Sequence, residues 1–157
     1  MGTGYHGGFG NTLGSRKIDV VSASSAFVGK GEGESLKNVT KWIKEEPGFT
    51  DVAIHGTAEK VKIMHNGNWV LLDQRRLATL LKKDFGYKSG AIRLLSCGTG
   101  KLDEGFAQNL ANKMGVKVKA PTDTLWIYSN GKMVIGPTMY KNTGKWKTFY
   151  PKKKGRS

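Results

Sequence analysis

The chain has 157 residues, with 26 Lys and Arg against 12 Asp and Glu and a formal net charge of +14 at pH 7. This length predicts one domain, and no run approaches the roughly 18 apolar residues of a membrane-spanning helix. A single cysteine excludes an internal disulfide and a multi-cysteine zinc site; with the acids scattered and no His/Asp pair at ligand spacing, no metal and no other cofactor is expected.

The charge is unevenly placed. Seven basic residues and no acid lie between Lys141 and Ser157, which is half of the excess. Residues 1–15, with Gly2, Gly4, Gly7, Gly8, Gly10 and Gly14, read as a flexible linker without signal-peptide grammar. Residues 16–150 read as a single α/β domain and 151–157 as a basic tail.

In chain order, Ile18–Val21 is a plausible strand. Gly29-Lys30-Gly31-Glu32-Gly33 lacks the Gly-Lys-Ser/Thr ending of a phosphate loop and reads as a connector. Leu36, Val39 and Ile43 share a helical face that Pro47-Gly48 terminates. Asp51–Ile54 is a short apolar strand running into His55-Gly56. Val61–Met64 and Trp69–Leu72 flank Asn66-Gly67, the strongest short hairpin signal. Asp73 caps a helix with Leu77, Leu80, Leu81 and Phe85 on one face, stopped at Gly86.

Ala91–Leu95 is the next strand, leading directly into Ser96-Cys97-Gly98. Asp103 is expected to cap a further helix carrying Phe106, Leu110 and Met114, ended by Gly115. Val116–Ala120 follows as a strand, and Thr124–Tyr128 with Lys132–Ile135 forms a second hairpin around Asn130-Gly131. Helices alternating with strands predict a mainly parallel sheet flanked by helices, decorated by two antiparallel hairpins.

Ligands of an open parallel sheet bind beyond the carboxyl ends of its strands. Two successive strands end in His55-Gly56 and Ser96-Cys97-Gly98, so parallel packing brings a thiol and an imidazole to one sheet edge. That pair suits acyl transfer: the sulfur attacks a carbonyl carbon and the imidazole protonates the leaving amine. The backbone N–H groups of Gly56 and Cys97 are candidate oxyanion donors, and Ser96 and Gly98 are candidate substrate contacts. A lone Cys or His is more often core or surface than functional; their joint placement is what singles them out.

The layout Asp51-Val52-Ala53-Ile54-His55-Gly56 followed by Ala91-Ile92-Arg93-Leu94-Leu95-Ser96-Cys97-Gly98-Thr99-Gly100 resembles the caspase-like (clan CD) cysteine proteases. It is closest to the self-processing protease domains of large bacterial toxins. Those have a hairpin after the histidine, a helix before the cysteine strand and another strand after the next helix. The resemblance implies an α/β/α sandwich with His55 as general acid, Cys97 as nucleophile, and Gly56 and Cys97 as oxyanion donors. Asp123 falls where a specificity loop would lie, and an acid there would favour a basic substrate side chain.

The opening Gly7-Gly8-Phe9-Gly10-Asn11-Thr12-Leu13-Gly14-Ser15 resembles the junction before C-terminal modules of bacterial polymorphic toxins. The closing Gly144–Phe149 resembles the ends of such modules. That resemblance implies secretion as part of a larger toxin, action in the cytoplasm of a competing cell, and a cognate immunity protein, expected to be acidic.

Two other readings stay open. Lys145-Trp146-Lys147-Thr148-Phe149-Tyr150 mixes cations with aromatics, the ingredients of nucleic-acid binding, so a nuclease toxin acting through the basic tail with His6, His55 or His65 is one. In the bland version Trp146 and Phe149 dock the tail on the core. The other is a catalytically dead binding module in which Cys97 only packs.

Overall fold

A computed structural model describes residues 16–19, 42–65 and 68–152. The linker over 1–15, the Gly29–Gly33 connector, most of the first expected helix, the Asn66-Gly67 turn and the last five residues lie outside the described part.

Three sheets and two helices make up the described chain. The main sheet has five strands in the order β1 (Arg16–Asp19), β2 (Phe49–Ala53), β6 (Ala91–Leu95), β7 (Val118–Pro121) and β10 (Trp146–Phe149). The first four run parallel, and β10 lies antiparallel on β7. A second sheet joins β3 (His55–Gly56), β4 (Val61–His65) and β5 (Asn68–Leu72). The third pairs β8 (Leu125–Ile127) with β9 (Met133–Ile135). Both expected hairpins are therefore present, the first enlarged by the two residues of β3.

Helix α1 (Gln74–Lys83) starts as its sequence predicts: the Asp73 carboxylate accepts the Arg76 N–H at 2.9 Å. Lys82 and Lys83 complement the dipole in its last turn. Helix α2 (Phe106–Met114) does not start at Asp103. Its N-cap is Gly105, which offers no side chain, and Asp103 instead pairs with Lys147. Carbonyls from elsewhere do the capping: Phe106 N–H donates to Ala58 O at 2.9 Å and Ala107 N–H to Thr99 O at 3.2 Å. Gly115, at φ 71°, ends α2 in the left-handed conformation that glycine adopts without strain.

Alternation along β2 and β6 sends side chains to two cores. Val52, Ile92, Leu94 and Val118 pack with Leu77 and Leu81 of α1, Phe106 and Leu110 of α2, and Ile63 and Leu72 of the small sheet. On the opposite face Ala53 and Leu95 meet Ile43, Leu125 and Ile135. Among the described residues both helices thus cover one face, and segment 42–46 with the β8–β9 hairpin covers the other. Phe149 is buried in the first core and Trp146 packs against the second. Trp146 and Phe149 are thus packing anchors in strand β10, which no sequence pattern predicts, whereas Tyr150 beyond it is exposed.

A buried ion pair interrupts the second core. Asp51 and Arg93 are register partners on β2 and β6, and their contact is bidentate: Nε to Oδ1 at 2.7 Å and Nη2 to Oδ2 at 2.9 Å. Asp51 is fully buried and the Arg93 side chain is 6% exposed. Arg93 also donates to Lys44 O at 2.9 Å and to Glu46 at 3.3 Å, while Lys119 closes on Glu46 at 2.9 Å. Removing one partner strands the other charge in the interior, which costs about 3–5 kcal/mol. Urea unfolding of Asp51→Ala is expected to show a loss of that size. In Asp51→Leu/Arg93→Met the loss is expected to fall short of the sum of the two single changes.

Candidate active site at the sheet edge

Ala53 and Leu95 are paired in register, and Ile54 N–H donates to Leu95 O at 3.2 Å. The chain therefore leaves β2 and β6 at the same level, with His55 and Cys97 each the second residue beyond its strand. The two exits touch. A Cβ placed on Gly56 would lie 2.7 Å from Thr99 Cγ2 and 3.3 Å from Ser96 Cβ, so only glycine fits against the cysteine loop. The same backbone carries the α2 cap, because Ala58 follows His55 and Thr99 follows Cys97. A third loop joins them: Gly98 N–H donates to Asp123 O at 3.0 Å and Gly100 N–H to Pro121 O at 2.8 Å. Gly98, at φ 68°, makes the turn that presents Cys97.

His55 sits on β3 opposite Lys62 of β4, which is itself opposite Leu71 of β5. Its ring meets the Trp69 ring edge-on, with centroids 5.8 Å apart and planes at 85°. The Lys62 ammonium lies 4.3 Å from the centre of that tryptophan ring. Burial, and then the Lys62 charge, push the imidazole pKa below its ordinary 6.5. Its Nε2 is buried and has no hydrogen-bond partner among the described residues. An unpaired buried ring nitrogen is expensive in a merely structural histidine and useful in one that exchanges a proton.

Cys97 is half-buried. Burial raises its thiol pKa; the Leu125 backbone amide opposes that shift and the Asp123 charge adds to it. Among the described residues no backbone carbonyl accepts the Cys97 backbone N–H. Asp123 stands in the loop that packs against the cysteine loop. Its carbonyl holds Gly98, its carboxylate accepts the Thr124 N–H at 2.7 Å, and its charge is felt at the sulfur. Ser96 is buried, with its hydroxyl 2.7 Å from that of Thr99, and the Gly98 N–H donates to the Asp123 carbonyl, so both hold the shape of the cysteine loop.

Lys62 and Trp69 are site residues that sequence reasoning missed. The Asn66-Gly67 turn predicts their strands, but only β3 adding to the hairpin aligns His55 with them. An open groove along α1, lined by Leu72, Arg75, Arg76, Thr79, Leu80 and Asp84, contains none of the site residues. Among the described residues no three His, Cys, Asp or Glu side chains cluster as metal ligands, and no helix is long and apolar enough to cross a membrane.

Both members of the pair are thus held neutral at rest, an imidazole and a thiol. Proton NMR is expected to show His55 titrating below pH 6.5, with Lys62→Gln moving the midpoint upward. Iodoacetamide labelling of Cys97 is expected to be slow at pH 7 and to accelerate above about pH 9, the ordinary thiol range. Fast labelling below pH 7 would contradict this electrostatic picture.

No curated protein and no solved structure matches the chain. Residues 23–135 match a family described as Domain of unknown function (DUF8616), a span that includes β2 to β9 and every residue of the site. The chain belongs to that DUF8616 family.

Proposed function

We propose that this chain is a cysteine hydrolase of peptidase type, with a caspase-like core and a His55/Cys97 dyad. The observation that carries the reading is the pairing of the two strand exits. Neighbouring parallel strands locked in register deliver His55-Gly56 and Cys97-Gly98 to one edge, with an unpartnered imidazole nitrogen there. The order of elements supports the caspase-like comparison: a hairpin after the histidine, α1 before the cysteine strand, and β7 after α2.

The chemistry runs from a neutral pair. As the Cys97 sulfur bonds to the substrate carbonyl carbon, the thiol proton passes to the imidazole and the oxygen gains negative charge facing the Cys97 N–H. Collapse of that adduct breaks the carbon–nitrogen bond, and the imidazolium gives its proton to the departing amine. Water then attacks the thioester, losing a proton to His55; the carbon–sulfur bond breaks, the imidazolium returns that proton to the Cys97 sulfur, and the carboxylic acid leaves. Asp123 beside the sulfur supports a basic side chain on the acyl side of the scissile bond.

The wider setting follows from the polymorphic-toxin resemblance: a secreted module of a larger bacterial toxin, acting in the target-cell cytoplasm and held by an acidic immunity protein. A basic chain of +14 favours fast association with such an inhibitor. The nuclease alternative keeps the exposed Tyr150, while Phe149 is buried and Trp146 packs partly on the core, which leaves less aromatic surface for stacking than the sequence offers.

Expression of wild type and Cys97→Ala in target cells tests the reading, with proteome and RNA both followed. The variant is expected to lose toxicity and protein cleavage by at least about 10³-fold. Undiminished toxicity in Cys97→Ala, or degraded RNA with an intact proteome, would overturn it.

A further inference from the structure

His55 shares its sheet face with an apolar surface. Directly opposed residues on antiparallel strands project to one side, so His55, Lys62 and Leu71 form a single cross-strand row. Trp69, two positions before Leu71, lies on the same face and touches the His55 ring. The other face of this sheet, with Val61, Ile63 and Leu72, is buried in the core. Yet Trp69 is 43% exposed and Leu71 57% exposed. Large apolar side chains grouped in water beside a reactive histidine mark an interaction surface more than a packing accident.

The chemistry of the proposed reaction says which part of a substrate meets this surface. The sulfur bonds to the acyl carbon, whereas the imidazole delivers its proton to the leaving amine. Groups around Cys97, Asp123 among them, therefore face the acyl side of the scissile bond. Groups around His55 face the amine side. On the hydrolase reading, we infer that Trp69, Leu71 and Lys62 form the amine-side subsite, which takes an apolar side chain with a carboxylate next to it. The apolar part is set by the exposed indole and leucine. The acidic part is set by charge complementarity, because the Lys62 ammonium lies 4.3 Å from the centre of the indole ring. Continuity with His55 gives such a peptide its register: the residue after the scissile bond reaches Trp69 while its nitrogen is within reach of the imidazole.

Two internally quenched peptides with the same basic acyl side test this, one continuing Leu-Asp and the other Gly-Gly after the scissile bond. A coumarin amide with that acyl side, which has no amine-side residue, serves as reference. Wild type is expected to prefer the Leu-Asp peptide by about 10-fold or more in kcat/KM, the size of discrimination a hydrophobic pocket achieves. In Trp69→Ala the ratio of Leu-Asp to Gly-Gly is expected to approach one, and Trp69→Phe is expected to keep most of it. Lys62→Glu is expected to favour Leu-Lys over Leu-Asp. Equal losses on both peptides and on the coumarin amide in Trp69→Ala would show that the indole only supports His55, overturning the subsite. An unchanged ratio would do the same while leaving the hydrolase intact. Cleavage that survives Cys97→Ala would instead overturn the hydrolase reading on which the subsite rests.

Discussion

The bidentate contact between Asp51 and Arg93 decides where everything else at this sheet edge can be. A carboxylate removed from water loses several kcal/mol of hydration, and only a matched donor in fixed geometry offsets that loss. Slipping β2 against β6 by one residue would turn Asp51 to the other face of the sheet. Slipping by two would leave it opposite Ala91 or Leu95, neither of which can donate from its side chain. The ion pair therefore tolerates one register, and that register brings both strands to the edge at the same level. Its partners widen the constraint. Glu46 and the Lys44 carbonyl tie the chain before β2 to Arg93, and the Glu46–Lys119 contact extends the network to β7. The same residues that specify the fold thus fix the spacing of the proposed dyad.

Beyond the strands, the site is held mainly by backbone. The Cys97–Gly100 and Pro121–Asp123 loops are joined by main-chain hydrogen bonds, and α2 ties the first of them to the segment after β3, its first amides donating to Ala58 and Thr99. Side chains would obstruct this arrangement. A Cβ on Gly100 would lie 2.7 Å from Ala120 O, and one on Gly105 would lie 2.6 Å from Ala58 O. Backbone-to-backbone packing of this kind leaves few rotamers to order and holds the loops in fixed positions.

Much of this was legible in the sequence, and what was not has a common cause. Asp73 announced α1, Asn66-Gly67 and Asn130-Gly131 announced hairpins, and the strands ending at His55 and Cys97 announced the sheet edge. These signals are local. Asp103 looked like a cap because it precedes an apolar helical pattern, but the donors of α2 are satisfied by carbonyls far away in sequence. Strand β10 was hidden because Trp146 and Phe149 bury on opposite faces of the sheet among lysines. Trp69 and Lys62 read as ordinary hairpin residues until β3 joined their sheet. Asp51 and Arg93 stood in plain view inside apolar strands, but their partnership depends on a register that no local pattern contains.

Net charge is a poor guide to the reactive groups, and the reason is range. A positive field from +14 would favour a thiolate and disfavour an imidazolium. At His55 the nearby Lys62 acts in that direction together with burial. At Cys97 the outcome is the opposite, because burial outweighs the Leu125 amide and the neighbouring Asp123 adds to the rise. Charges beyond about 8 Å are largely screened at physiological salt, and part of the basic closing segment is matched locally, Lys147 by Asp103 and Lys152 by Glu104. Those contacts fasten residues 147–152 to the loop between Cys97 and α2, and Gln108 of α2 donates to the Tyr150 carbonyl at 2.8 Å. The basic segment thus lies as a strap on the loop after Cys97, while the protonation of His55 and Cys97 follows from burial and the few groups beside each of them.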